Sequence, residues 1–250
     1  HFWACELVAL GHEVKLMPPA YVKPYVKRGK NDMADAEAIC EAVTRPTMRF
    51  VPIKSAERQG VLVLHRTRDL LMRQRTMLLN AVRGHLAEFG LIAPQGPRKV
   101  MELVAQMGEG ARADLPEIAR TALLGIGLQL DALARQIHAL ERQLLTWHRQ
   151  DAASQRLETI PGVGIITATA LAASIPDPSV FCSGRQFAAF LGLTVIRRAE
   201  TNPSATGAWV RSLLTRKPPR VTTVAMANKT ARIAWAVLAR GEAYRAPAMA

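Results

Sequence analysis

The most regular pattern in the chain is IGLQLDALARQIHALERQLLTW, residues 126–147. Its apolar side chains recur at alternating steps of four and three residues, at Ile126, Leu130, Leu133, Ile137, Leu140, Leu144 and Trp147. This spacing places them on one side of an α-helix, as the seam of a coiled coil requires. It is equally typical of a helical hairpin whose two helices pack on each other within one chain. Both interpretations predict a helical stalk.

A second long helix is predicted before this one. The stretch from about Ser55 to Phe89 contains no proline, and the two glycines Gly60 and Gly84 are its weak points for a helix. A loop rich in glycine and proline, Gly90 to Pro97, separates the two helices. We therefore assign residues 55–150 to a helical stalk or coiled coil, through which we expect a homo-oligomer to form.

The first fifty residues combine helical and strand-like segments. An apolar segment ends at Gly11, and residues 12–17 then alternate before Pro18 and Pro19, which indicates a helix, a turn and a strand. Residues 34–43 are rich in alanine and predict a helix, while residues 48–53 suit a second strand. We therefore expect residues 1–54 to form the C-terminal part of an α/β domain.

The last hundred residues predict a compact, mainly helical domain, residues 151–250. They contain a proline–glycine turn at residues 160–164, an apolar helix after it, a segment at residues 187–194 and a final alanine-rich helix at residues 224–239. The expected fold class of the whole chain is thus α/β plus mainly α.

The charge of the chain indicates a polyanionic partner. Lysine and arginine number 33 against 20 aspartates and glutamates, a net charge of +13, and residues 195–250 carry ten basic side chains against Glu200 and Glu242. A membrane span or a signal peptide is not predicted, so we expect no membrane partner and a cytoplasmic location. The three cysteines, Cys5, Cys40 and Cys182, lie too far apart to predict a zinc site.

Two acidic residues, Asp32 and Asp35, are the first candidates for chemistry. At the start of a helix their three-residue spacing places both carboxylates on one face, where two further acids would complete a magnesium site for phosphodiester cleavage. The basic residues before them would attract a phosphate backbone: Lys23, Lys27, Arg28 and Lys30. The alternative is structural, with Asp32 as the N-cap and Asp35 in the first turn.

The turn Ile160-Pro161-Gly162-Val163-Gly164 is the second candidate. It has the form of a helix-hairpin-helix hinge, in which glycines permit a tight turn and exposed amides at the next helix bind a DNA phosphate. An ordinary turn between two packed helices is the alternative. On the final predicted helix, Lys229 and Arg232 are further candidates for nucleic-acid binding.

Four stretches together resemble the insertion-sequence transposases of the IS110 group. The first stretch lies within residues 11–36 and contains GHEV at 11–14, YVKPYVK at 21–27 and KNDMADA at 30–36. The other three are IPGVG at 160–164, FAAFLGLT at 187–194 and ANKTARIAW at 227–235. The resemblance covers nearly the whole chain, with the stretches in the expected order.

The resemblance implies a mobile-element recombinase that acts on DNA with an element-encoded guide RNA. It also implies a RuvC-like domain with four metal-binding acids and a serine nucleophile in the C-terminal domain. Asp32 and Asp35 match the last two acids of that set, so the resemblance favours Mg²⁺ ligands and catalytic residues over helix caps at these positions.

Two departures from the family pattern predict an inactive copy. The first aspartate and the glutamate of the set are expected on strands before His1. After Thr194 the family continues into a segment containing the nucleophilic serine, whereas Val195 follows directly here, which predicts an internal deletion of several tens of residues. Ser183, Ser204 and Ser212 lack the expected context, so no nucleophile is assigned. The alternatives are a non-catalytic nucleic-acid-binding protein and a structural helical protein.

Overall fold

The computed structural model describes residues 1–26, 31–108, 115–191, 213, 215–216 and 218–245, and these residues are mainly helical. The chain forms two compact units: His1–Gln59 together with Ala152–Ala250, and Gly60–Asp151. The regions predicted as separate first and last domains, residues 1–54 and 151–250, thus lie in the same unit.

The first residues of the chain form short helices. Helix α1 is Phe2–Ala9, α2 is Pro19–Val22, a 3-10 turn covers Lys23–Tyr25, and α3 is Asp32–Val43. Helix α1 ends in a Schellman motif, because Gly11 has a φ of +87° and the His12 amide donates to the Leu7 carbonyl at 3.0 Å. The predicted helix ending at Gly11 is confirmed.

The two predicted strands meet at one antiparallel bridge, between Leu16 and Val51. The Val51 amide donates to the Leu16 carbonyl at 2.7 Å. Prolines flank this bridge at positions 18, 19 and 52, and they have no amide hydrogen with which to extend a ladder. In the described residues the expected sheet is therefore reduced to this bridge, and the RuvC-like assignment stays a prediction.

The described residues between 56 and 150 form three helices. Helix α4 is Ala56–Ala87, α5 is Pro97–Gly108 and α6 is Glu117–Gln150. They share a core of buried residues from all three helices and the segment before α6: Leu79, Val82, Leu86, Val100, Val104, Met107, Leu115, Leu123 and Leu130. Both predicted long helices are confirmed.

Helices α4 and α6 also contact each other through an ion pair. Arg68 Nε and Nη2 donate to Glu141 Oε1 at 2.9 and 2.6 Å, and both side chains are partly buried. Because these contacts lie within one chain, they support the helical-hairpin interpretation. The dimerising coiled coil stays a prediction.

The last part of the chain is a small helical assembly. Helix α7 is Ala152–Glu158, α8 is Ile165–Ser174, a 3-10 turn covers Pro178–Val180, α9 is Gly184–Leu191 and α10 is Pro219–Arg240. Helix α10 packs against α9 and α7, and its small Ala234 is fully buried. In the part of the chain that the structure describes, no helix has both the length and the apolar character of a membrane span.

Candidate nucleic-acid interface

The start of α3 is capped by Asn31. Its Oδ1 accepts a hydrogen bond from the Ala34 amide at 2.7 Å, and its backbone is extended. Asp32 and Asp35 both lie in the first helical turn with exposed side chains, where the helix dipole favours negative charge. The structural alternative that made Asp32 the N-cap is therefore wrong, since the neighbouring residue takes that role.

A metal site needs more ligands than these two carboxylates. Among the described residues, no group of three or more histidine, cysteine, aspartate or glutamate side chains is placed to hold an ion. Asp32 and Asp35 supply half of the four-acid set that the resemblance implies. The acids of the described residues are therefore too few for a two-metal centre. Binding of Mg²⁺ by Asp32 and Asp35 stays a prediction.

The 3-10 turn before α3 carries Lys23 and Tyr25, and Arg45 from the segment after α3 packs on Tyr25. Lys23 is exposed in the 3-10 turn, and the guanidinium of Arg45 lies 5.7 Å from the ring centroid of Tyr25 while pairing with Glu41. The other predicted phosphate-binding residues of this segment, Lys27, Arg28 and Lys30, lie outside the described residues.

The predicted hairpin is a tight turn between α7 and α8. Gly162 has a φ of +89°, a conformation that favours glycine, and Gly164 is the N-cap of α8 without any side-chain cap. Val163 is buried and its amide donates to the Ile160 carbonyl at 3.0 Å. The Val163 side chain and amide are thus engaged within the turn, whereas Pro161, Gly162 and Gly164 lie at its surface, and phosphate binding by these residues stays a prediction.

The C-terminal tail reaches the same turn. The Tyr244 amide donates to Thr159 Oγ1 at 2.8 Å, and the same hydroxyl donates to the Arg156 carbonyl at 2.7 Å. This places the residues after α10 beside the start of the hairpin.

Helices α9 and α10 form the walls of an open groove of about 970 Å³. Lys229 and Arg232 lie one turn apart on α10, and Arg185 lies at the start of α9; all three line the groove. The helices approach closely because Gly184 has no side chain: a Cβ there would lie 3.0 Å from the Arg232 Cα. The groove thus gathers three cationic side chains and the amide side chain of Asn228.

Arg185 was not among the residues predicted to bind nucleic acid. Its sequence context, Ser183-Gly184-Arg185, carries a helix-start signal but no basic run, so only the packing of α9 on α10 brings it to Arg232. Ser183 also lines the groove, where its Oγ accepts the Gln186 amide at 3.4 Å as a helix cap. That contact gives Ser183 a structural role.

Comparison with known proteins identifies the region that carries the hairpin and the α9 wall of the groove. Residues 154–215 match the family model described as "Transposase IS116/IS110/IS902 family". In the described residues this match covers most of α7, the hairpin turn, α8 and α9.

Curated relatives extend the similarity over the chain. A putative transposase y4pF/y4sB of Sinorhizobium fredii is 44% identical, over 98% of this chain and 72% of its own length. A probable family 20 transposase of Pseudomonas aeruginosa is 43% identical, over 98% of this chain and 82% of its own. The transposase for insertion sequence element IS1328 of Yersinia enterocolitica is 35% identical, again over 98% and 82%.

In these alignments, this chain lacks residues that its relatives have. The alignments run over 277 to 279 positions, whereas the chain has 250 residues, so each relative has residues inside the aligned region without a counterpart here. The identity over nearly the whole chain and the family match at residues 154–215 lead to one conclusion. The chain belongs to the IS116/IS110/IS902 family of transposases.

Proposed function

We propose that this chain is a DNA-binding protein of an insertion sequence, a transposase by descent, that engages the DNA backbone through the α9–α10 groove. The observation that carries the proposal is the meeting of Arg185, Lys229 and Arg232 on one groove beside the family-matching segment. Guanidinium and ammonium groups neutralise phosphates and release counterions, and this gives affinity without sequence readout.

The start of α8 provides a second phosphate contact in this proposal. Gly164 leaves the first turn without a side-chain cap, so its amides and the positive end of the helix dipole are available to an anion. A backbone phosphate bound there and others bound in the groove would position a duplex while leaving base recognition to other parts of the assembly.

We also propose that the 250-residue chain binds DNA without cleaving it. The alignments support this, because the relatives carry at least about 27 residues inside the aligned region that this chain lacks, the scale of gap expected after Thr194. Thr194 and Val195 lie outside the described residues, so the position of the gap stays a prediction. The RuvC-like acids, Mg²⁺ and the serine nucleophile belong to the catalytic apparatus of the family that the resemblance implies.

Self-association through the helical stalk is part of the proposal. Val63, Leu70 and Met77 recur every seven residues along α4, and each is exposed by 47% or more. A seven-residue repeat of exposed apolar side chains is the surface that a second helix would cover. An element-encoded guide RNA is the other proposed partner, and it would meet the same basic groove through its phosphates.

The test is the salt dependence of DNA binding by the purified chain and its variants. Replacing Arg185 and Arg232 together by alanine should weaken duplex binding and reduce the slope of log affinity against log salt by about two, since each phosphate contact contributes about 0.9. The matched control replaces Arg98 and Arg240, which are exposed and do not line the groove. Equal slopes for both double variants would contradict the groove as the binding site.

The alternative function is a structural helical protein whose charge plays no part in binding. It predicts negligible affinity for DNA and RNA at physiological salt for the parent chain.

A competing RNA in the same titration shows whether DNA and RNA share a site. It displaces DNA only when both bind in the groove.

A further inference from the structure

A small cavity lies between the N-terminal residues and the segment after α8. Its volume is about 140 Å³, well below the roughly 300–1,000 Å³ of sites for drug-sized ligands, so it suits a single ring system. Three aromatic side chains line it, Tyr21, Phe50 and Phe181, with Arg49 and Asp177 among the remaining lining residues.

Both walls of this cavity are fixed by hydrogen bonds and packing. On one side, the Leu16–Val51 bridge holds the backbone that carries Phe50. On the other side, Phe181 packs edge-on against the fully buried Phe187, with ring centroids 5.2 Å apart and an interplanar angle of 82°. The rings therefore form the cavity before any ligand enters, which reduces the entropy cost of binding.

Two charged side chains line the cavity, Arg49 and Asp177, beside the neutral polar side chains of Ser174 and Gln186. Arg49 is exposed and supplies donors. The Asp177 carboxylate accepts hydrogen bonds from the Ser179 amide and hydroxyl, both at 2.8 Å, and these bonds hold the pKa of Asp177 below its ordinary value. An ionised acceptor and a guanidinium donor thus accompany the aromatic rings.

The surface around the cavity adds further cations. Lys15 Nζ lies 5.6 Å from the ring centroid of Phe50, although it also pairs with Glu13 at 2.8 Å. Lys23 is exposed in the turn that directly follows α2, the helix of Tyr21. Aromatic rings interleaved with cationic side chains are the arrangement by which proteins hold single-stranded nucleic acid.

We propose that this cavity receives one unpaired nucleobase of a single strand, stacked among Tyr21, Phe50 and Phe181, while Lys15, Lys23 and Arg49 face its phosphates. The inference rests on the proposed nucleic-acid binding but concerns a different place from the α9–α10 groove. Opened DNA strands and single-stranded RNA offer the same ring chemistry.

Cytosine is the base best matched to the polar groups of the cavity. A carboxylate accepts a hydrogen bond from the exocyclic amino group of cytosine, and thymine has a carbonyl oxygen at the same place. The probes are therefore a short oligo(dC), its oligo(rC) counterpart, and a DNA strand of equal length that is abasic throughout.

The variant that tests the cavity is Val180→Trp, which fills it with a new ring and leaves its charged residues unchanged. Ile118→Trp, at an exposed position on α6 that does not line the cavity, is the matched control. Phe181→Ala removes one stacking surface without filling the cavity, so a defect shared by both cavity variants is not a consequence of the bulky residue. Circular dichroism and thermal unfolding of every variant establish that each is folded before its binding is compared.

The parent chain should bind oligo(dC) or oligo(rC) about tenfold more tightly than the abasic strand, because stacking of one base on aromatic side chains contributes on that scale. Val180→Trp and Phe181→Ala should remove this difference and leave duplex binding unchanged, whereas Ile118→Trp should retain it. A preference for DNA or for RNA identifies the source of the strand.

Equal affinity of the parent for oligo(dC), oligo(rC) and the abasic strand would overturn the cavity proposal, and so would an undiminished preference in folded Val180→Trp. The effect of Arg185→Ala/Arg232→Ala is measured separately, as the affinity for duplex DNA. If duplex binding follows the groove while base preference is absent, the proposed function stands and the cavity inference fails.

Discussion

Two glycines mark places where helices approach too closely for any side chain. A Cβ at Gly127 on α6 would lie 2.4 Å from Val104 Cγ1 on α5, and a Cβ at Gly184 would meet the α10 backbone. Neither position has a positive φ, so neither belongs to a turn signal. The sequence marks Gly11 and Gly162 as turn residues because that signal is local, whereas the close approaches depend on a partner helix elsewhere in the chain.

Gly127→Ala should destabilise the chain by about 1–3 kcal/mol, because the new methyl group overpacks against Val104. The matched control on the same helix is Gly125→Ala, where an added Cβ meets nothing within 4 Å and where alanine should stabilise the helix by up to about 1 kcal/mol. Chemical denaturation measures both. The double variant Gly127→Ala/Val104→Ala should lose less stability than the sum of its parts, and strict additivity would show that the two positions do not clash.

His65 on α4 predicts a pH dependence of stability. Burial lowers its pKa from the ordinary value of 6.5, and the nearby charge of Arg68 lowers it further. Below pH 6.5 the unfolded chain therefore binds a proton that the folded chain takes up only at lower pH, so folding stability falls as the pH decreases through this range. We expect His65→Gln to flatten that fall in urea denaturation measured at several pH values. His85→Gln, an exposed position on the same helix, is the comparison, and an unchanged fall in His65→Gln would contradict the assignment.

At the scale of elements, local signals predicted the helices well and the strands poorly. Helices α4 and α6 follow from long segments without proline and from apolar spacing, both of which act within one segment. A strand requires a hydrogen-bonded partner, and prolines limit the Leu16–Val51 pairing to one bridge. The start of α3 was ambiguous for a related reason, because Asn31 and Asp32 are adjacent and both residue types favour the N-cap position.

The cap assignment makes a measurable prediction for α3. Asn31→Ala should lower the free energy of unfolding by about 1 kcal/mol, since it removes the acceptor of the Ala34 amide. Asn31→Asp keeps an acceptor and should be nearly neutral. Asp32→Asn should cost only about 0.3–1 kcal/mol through the helix dipole. Repeating the measurements with Mg²⁺ tests the metal expectation: a stabilisation by Mg²⁺ that disappears in Asp32→Asn would favour the ligand role over the purely structural one.

At the scale of the whole molecule, the basic groove was predicted only in part. Lys229 and Arg232 were predicted as nucleic-acid-binding residues on the final helix, and the structure joins them to Arg185 through the packing of α9 on α10. A contact between segments that are distant in the sequence leaves no local sequence pattern from which it could be predicted. Lys27, Arg28, Lys30 and the junction at Thr194 lie outside the described residues, so their predicted roles stay predictions.

Catalysis by the 250-residue chain can be predicted from the alignments and from the described acids. The relatives contain residues inside the aligned region that this chain lacks, and the described acids Asp32 and Asp35 have no third ligand beside them in the part of the chain that the structure describes. With Mg²⁺ or Mn²⁺ and supercoiled DNA, we therefore expect salt-sensitive binding without nicking and without a covalent protein–DNA adduct on a denaturing gel. Binding is measured on the same preparation, so that a missing product cannot reflect a misfolded sample. A metal-dependent nick or an adduct retained through denaturation would overturn the prediction and require a nucleophile within this sequence. Serine-to-alanine variants at Ser183, Ser204 and Ser212 would then identify it.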